Sequence, residues 1–191
     1  HVPRIAFVNK MDRAGADLDR TAQMMRTRLA AHPALLQMPI GREDGFEGVI
    51  DLVRMQALRF PGGDDASVQR DDIPAALVDD AHARRERLIE ALADVDDEIA
   101  MLFLEGEEIS TELLEERLRQ ATCANKIVPV LCGSALRNIG VQPVLDAVVA
   151  YLPSPADVEP MTGTVPAQEE EIVCLPSDDE PLAALIFKIS T

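Results

Sequence analysis

The feature that most limits how this chain can fold is the stretch Ile5-Ala-Phe-Val-Asn-Lys-Met-Asp12. Four consecutive apolar residues are too few for a helix and too continuous for a half-exposed strand. A short apolar run closed by polar residues suits a central strand of a parallel sheet, covered on both faces. In open α/β sheets the residues just past the carboxyl end of such a strand line the ligand crevice. Here these are Asn9, Lys10 and Asp12, followed soon by a helix start. An ionised Asp12 offers two acceptor oxygens and can take two N–H donors at once. Guanine presents such a pair, its ring N1–H and exocyclic amine, whereas adenine does not. Asn9 can donate and accept, and so can tie this loop to a neighbour. The stem of Lys10 can lie on a base while its ammonium stays in water. The bland alternative is an ordinary polar strand-to-helix loop.

A second stretch, Cys132-Gly-Ser-Ala-Leu136, weighs against the bland alternative. It follows another apolar run, 127–131, and precedes another helix pattern. A small Ser-Ala turn lets backbone N–H groups approach a ligand closely, and one could donate to a guanine carbonyl. Two such loops, each after an apolar strand, are far less expected by chance than one.

These two stretches resemble the fourth and fifth guanine-nucleotide motifs of translational GTPases: Val2-Pro-Arg-Ile-Ala-Phe-Val-Asn-Lys-Met-Asp-Arg13 and Gly133-Ser-Ala-Leu136. Further stretches are similar to the bacterial elongation factor G family. They are Pro39-Ile-Gly41, Gly48-Val-Ile-Asp-Leu-Val53, Val128-Pro-Val-Leu-Cys-Gly-Ser134 and Gly140-Val-Gln-Pro-Val-Leu-Asp146. The resemblance covers most of 2–155, is weak over 159–181 and returns at 182–191. It implies an α/β fold: a partial P-loop GTPase-type doubly wound sheet whose first half is missing, with an α+β insert subdomain. The last strand would open a following β-barrel domain. The implied division is 1–39 (guanine loop and following helix), 40–126 (insert), 127–157 (last strand and closing helix) and 158–191 (linker and barrel strand).

In the resemblance Asn9 and Asp12 read guanine, Lys10 packs on the base, and Ser134, Ala135 and Leu136 close over it. The implied activity is GTP hydrolysis driving ribosomal translocation, with a ribosome-protection or release-type GTPase as the near alternative. Two hydrogen bonds to a charged group, at roughly 1.5–3 kcal/mol each, would give Asp12 about 3–6 kcal/mol of guanine selectivity. A phosphate cradle needs a Gly-x-x-x-x-Gly-Lys run. This chain contains no Gly-Lys pair; its lysines are Lys10, Lys126 and Lys188. The cradle, the switch segments that hold magnesium and the histidine aiding hydrolysis all precede the position of His1 in the family. The chain is therefore expected to be a piece of a longer protein, to carry no catalytic residue, and to bind GDP weakly or not at all alone.

The net charge of −16 argues against a nucleic-acid surface. It is also localised: residues 64–119 hold 18 acidic and 6 basic side chains. Such a segment is a candidate for a basic partner. The resemblance supplies one, the acidic stalk protein of the large ribosomal subunit, whose globular end offers a basic face. Asp79, Asp80, Glu86 and Glu90 on the insert's first helix are the expected contacts, and stalk docking without nucleotide is the rival function for the segment. Cys123, Cys132 and Cys174 lack metal-ligand spacing and read as reduced thiols of a cytoplasmic protein. No run of about 18 apolar residues is present to span a bilayer.

Local signals complete the reading. Asp17 caps a helix over 18–31 with Leu18, Ala22, Met25 and Leu29 as its apolar stripe. Runs at 35–40, 48–53 and 55–60 form a small antiparallel sheet, and 61–65 is a loop. Three helices follow, from Pro74, over 94–104 with Gly106 as stop, and from Ser110 or Thr111. Arg117 and Arg119 are expected at the negative end of the third. Val141, Leu145, Val148 and Leu152 are the expected buried stripe of the closing helix. Residues 156–181 read as an acidic, proline-rich linker with one strand at 172–175, and 181–189 as a strand.

Overall fold

A computed structural model of the 191-residue chain describes residues 2–61, 67–164, 171–182, 184 and 188. The chain divides into two compact units, His1–Leu152 and Pro153–Thr191.

The first unit holds a parallel sheet, β1 (Ala6–Val8), β7 (Val128–Cys132) and β2 (Pro33–Leu35), in the order β1-β7-β2. In register, Ala6 faces Val130 and Val8 faces Cys132, so the two strands end together and deliver their following loops to one edge. Its second sheet is antiparallel: β3 (Gln37–Ile40), β4 (Gly48–Asp51), β5 (Gln56–Arg59) and β6 (Gln69–Asp71). Leu36 is the joint between the sheets. Its N–H donates to Val130 O of the parallel sheet (3.0 Å), and its carbonyl accepts from Leu52 N of the β4–β5 turn (2.9 Å). The apolar run expected as one strand over 35–40 therefore serves two sheets, and Gln69–Asp71 adds an edge strand that its polar sequence did not announce.

Helix α1 (Leu18–Leu29) starts where Asp17 accepts from Arg20 N (2.8 Å) and ends at left-handed Ala30. Leu18 and Ala22 of its expected stripe are buried, but Leu29, in the last turn, is 69% exposed. Pro74 precedes a short 3-10 turn, Ala75–Leu77, which leads into α2 (Val78–Ala93). Asp96 caps α3 (Asp97–Glu105), which stops at left-handed Gly106, and Ser110 caps α4 (Thr111–Cys123). Arg117 and Arg119 do not serve α4's own end. Arg117 pairs with Glu98, and Arg119 donates to Ala150 O and Leu152 O (3.0 Å each), capping α5 (Val141–Tyr151) from outside.

The expected stripe of α5 is also corrected. Pro143, Ala147 and Tyr151 are buried, whereas Leu145 is 64% and Val148 44% exposed. Two apolar stripes run along this helix, and the neighbouring α4 and β7 select the other one. Strand β1 is half-buried: among the described residues it pairs with β7 alone, which leaves its other edge open, as a sheet whose first half is missing implies. The core is aliphatic, with Leu52, Leu88, Leu92, Ile99, Leu114 and Leu118 among its fully buried side chains.

In the second unit β8 (Met161–Thr164) and β9 (Glu171–Cys174) pair as an antiparallel hairpin. The sequence pattern indicates only one strand in this stretch, at 172–175, and the hairpin supplies its partner. The loop expected over 61–65 and the strand over 181–189 lie largely outside the described residues. Among the described residues no helix is long and apolar enough to cross a membrane.

Candidate guanine-base site

The two loops singled out in the sequence meet. Asn9 Oδ1 accepts from Lys10 N (2.7 Å) and from Ala135 N (3.0 Å), a contact spanning 126 residues. Backbone bonds reinforce it: Gly133 N donates to Val8 O and Met11 N to Gly133 O, both 3.0 Å. The second loop closes on itself through Ser134 N to Ile139 O (2.9 Å) and Ile139 N to Ser134 O (3.0 Å). Gly133 is required by space: a Cβ there would sit 2.3 Å from Ile139 O and 2.8 Å from the Phe7 ring.

Lys10 adopts left-handed backbone (φ 65°), an uncommon state for a residue with a side chain. The Asn9 contact on its N–H, and Arg13 N on its carbonyl (3.1 Å), hold it there. Strain of this kind persists only where the surroundings fix it. It turns the chain so that Asn9 and Lys10 are exposed and Met11 points into the core at 5% exposure.

Asp12 is half-exposed, and its carboxyl is held below its usual value. The nearby Ser134 hydroxyl is the main cause, helped by a backbone N–H and the guanidinium groups of Arg13 and Arg137, against an opposing effect of desolvation. Asp12 is thus a ready carboxylate with acceptor oxygens open to solvent. Ser134 itself is 1% exposed, and among the described residues its Oγ has no hydrogen-bond partner in bonding geometry. Ala135 and Leu136 face solvent, Leu136 at 84% exposure, an apolar side chain at the rim of the loop. The arrangement offers a bidentate acceptor, an exposed lysine stem and small backbone groups around one opening.

The acidic residues expected to meet a partner lie elsewhere, on α2, and all four are exposed. Asp79, Glu86 and Glu90 fall within about 40° of one another around the helix. Asp80 stands apart and pairs with Arg84 (3.2 Å), which also binds Asp19 of α1 through two N–H contacts (2.8 and 2.9 Å).

Three residues near the base loops carry no functional signal in the sequence. Gln37, buried at 3%, accepts from Cys132 N through Oε1 (3.1 Å) at the end of β7. Glu43 accepts from Gly15 N (3.1 Å), and Phe46, fully buried, lies in the same apolar cluster as Met11 and Ile139. Gln37 and Phe46 sit in or beside hydrophobic runs, and Glu43 in an acidic turn, so only the tertiary contacts mark them.

A parallel sheet whose adjacent strands end in these two joined loops defines the class: a partial GTPase-type α/β domain. The family model described as "Elongation factor Tu GTP binding domain" matches residues 1–154, and the chain belongs to that family. Over 189 residues it is 51% identical to "Elongation factor G 2" of Syntrophus aciditrophicus (strain SB), and it is a homologue of that factor. The match takes in 98% of this chain but 28% of that protein, so the chain spans less than a third of this curated relative's length. A crystal structure from Thermus thermophilus shares the fold, with a TM-score of 0.68 at 24% identity over 90% of this chain and 26% of that one.

Proposed function

We propose that the chain is the guanine-reading part of the nucleotide domain of an elongation factor G-type translational GTPase, a cytoplasmic enzyme that hydrolyses GTP to drive translocation on the ribosome. The observation that carries this reading is the Asn9 Oδ1 to Ala135 N bond, which joins the two base loops beside the open Asp12 carboxylate. In this reading Asp12 accepts from the ring N–H and amine of guanine, and Lys10 lies on the base. Ser134, Ala135 and Leu136 close the opposite side; the N–H groups of Ser134 and Ala135 are already bonded to Ile139 O and Asn9 Oδ1, so they brace the loop and are not the expected donors to the guanine carbonyl. Asn9 holds the loops together through Oδ1 and keeps its amide NH2 for reading guanine beside Asp12. GTP or GDP fits this donor and acceptor set at its base end. Phosphate and magnesium contacts would belong to a preceding part of the longer protein, so the residues 1–191 alone contribute specificity without hydrolysis.

The division proposed for the longer protein is a nucleotide domain at 1–39 and 127–157, an insert at 40–126, and a linker with the start of a second domain at 158–191. The insert would present Asp79, Glu86 and Glu90 of α2 to the basic face of the ribosomal stalk protein, with Asp80 shared with Arg84. The exposure of these carboxylates and their common stripe support that contact. The alternative function, a stalk-binding module independent of nucleotide, rests on the same surface.

The test is Asp12→Asn in the longer GTPase, comparing GDP with xanthosine diphosphate. Xanthine carries a carbonyl where guanine has its amine, so an amide at position 12 should prefer it. A swing in preference of about tenfold or more, roughly 1.4 kcal/mol, is expected. Unchanged GDP affinity would reduce Asp12 to a loop residue and leave the module reading.

A further inference from the structure

The turn between β3 and β4 touches both base loops, although it belongs to the antiparallel sheet. On one side Glu43 Oε1 accepts from Gly15 N (3.1 Å), and the Gly15 carbonyl accepts from Arg20 Nη2 (2.7 Å). The peptides flanking Gly15 are thereby held from two directions, immediately after the Asn9–Asp12 loop. On the other side Asp44 O accepts from Arg137 Nη1 (3.5 Å), and Arg137 is among the groups that keep Asp12 charged. Between them Phe46 is fully buried in the cluster that contains Met11 of the first loop and Ile139 of the second. The turn is built for this position. Gly41 (φ 80°) and Glu43 (φ 53°) are both left-handed, and a Cβ on Gly41 would collide with Gly45 O at 1.8 Å.

We propose that this turn, residues 41–46, is a third element of the guanine-base site, with Glu43 as the residue that positions the Asp12 loop. The proposal rests on the guanine reading given above. It makes the antiparallel sheet more than a platform for a partner: a displacement of β3 and β4 reaches Gly15 and Arg137 directly. Coupling between two sites is reciprocal. A partner that shifts the sheet would alter base recognition, and nucleotide would in turn alter the protection of the turn.

Two measurements test it. In the 191-residue chain, Glu43→Ala and Glu43→Gly remove the acceptor, and the glycine suits the left-handed backbone, so the turn survives. Both should speed amide hydrogen exchange at Gly15 by about threefold or more, a floor for one solvent-exposed hydrogen bond to a carboxylate. Glu43→Gln keeps an acceptor oxygen and should restore slow exchange. In the longer GTPase the same variants are compared for GDP against inosine diphosphate, which lacks the amine that Asp12 would bind. Phosphate contacts cancel in that ratio. The alanine and glycine variants should lose about threefold or more of the preference, and the glutamine variant should stay within about 1.5-fold of the parent protein. Unchanged Gly15 exchange, or an unchanged ratio in the glycine variant, overturns the proposal. Asp12→Asn in the same assay separates the two readings. If its preference swings to xanthosine diphosphate while the Glu43 variants keep theirs, only the turn's role falls. If it does not swing, the guanine reading falls and takes this proposal with it.

Discussion

Replacing Arg84 by methionine should loosen the seam between α1 and α2 by an amount that can be worked out from its contacts. Arg84 meets Asp19 through two N–H contacts at 2.8 and 2.9 Å and Asp80 at 3.2 Å. Its own side chain is 17% exposed, but Asp19 and Asp80 are 55% and 52% exposed. Exposed pairs contribute about 0.2–1 kcal/mol, and bidentate geometry with a partly buried guanidinium places the Asp19 pair at the upper end, about 1 kcal/mol. The i,i+4 pair with Asp80 adds about 0.3–0.5 kcal/mol. Methionine keeps most of the buried stem, so Arg84→Met should cost about 1.5 kcal/mol in total. The assay is urea unfolding of the chain followed by circular dichroism, run as a double-mutant cycle with Asp19→Asn. The coupling should be about 1 kcal/mol and fall by about half in 1 M salt, where the screening length shrinks to about 3 Å. It should also depend on pH. The guanidinium holds the Asp19 carboxyl below its usual 3.8, so the folded state binds the proton less readily than the unfolded chain. The stabilisation is complete above that value and is lost as pH falls through the depressed native one. A coupling under about 0.3 kcal/mol, or one indifferent to salt and acid, would refute the claim that this ion pair fastens the helices.

Two further perturbations follow from buried geometry. Gly133→Ala places a methyl 2.3 Å from Ile139 O; the backbone must shift, and a loss of about 2–3 kcal/mol is expected from urea midpoints. A cost under about 0.5 kcal/mol would show that the second loop has room to spare. Burial pushes the Cys132 thiol up to about 12, while an unfolded thiol ionises near about 8.5. Its folded value is raised, so its contribution is intact below the unfolded pKa and is lost as pH climbs towards 12, by up to about 1.4 kcal/mol per pH unit. Stability curves of Cys132→Ala between about pH 8 and 10 should therefore fall less steeply than those of the parent chain, and parallel curves would contradict the assignment.

The parts of the fold legible in the sequence are those governed by short-range chemistry. Asp17 and Ser110 cap their helices, and Gly106 ends one, because each acts on N–H or C=O groups within a few residues; the helix expected from Asp94 starts instead at Asp97 under an Asp96 cap, because Asp94 closes the helix before it. The base loops are legible for a similar reason: an apolar strand ending in Asn9-Lys-Met-Asp12 already contains the groups that face solvent. What fails depends on neighbours remote in the chain. Periodicity marks Leu145 and Val148 as an apolar stripe, but α4 and β7 cover Pro143, Ala147 and Tyr151 instead. Nearness in sequence assigns Arg119 to its own helix end, whereas the free carbonyls it binds belong to α5. Glu43 and Gln37 act through single long-range bonds that leave no periodic trace.

The pairing of β1 with β7, Ala6 against Val130, also sets a timetable for synthesis. A nascent chain grows at about 5–20 residues per second and folds its earlier parts first. The 126 residues between Asn9 and Ala135 then correspond to a wait of about 6–25 s before the two halves of the opening can meet. The antiparallel strands β3, β4 and β5 need no such delay, since each pairs with its immediate successor. Throughout that interval the edge of Ala6, Phe7 and Val8 that β7 will cover stays open, a short sticky segment at the mercy of whatever else is being made nearby. Slow codons placed between positions 40 and 128 should therefore raise the misfolded fraction more than the same codons placed after residue 140.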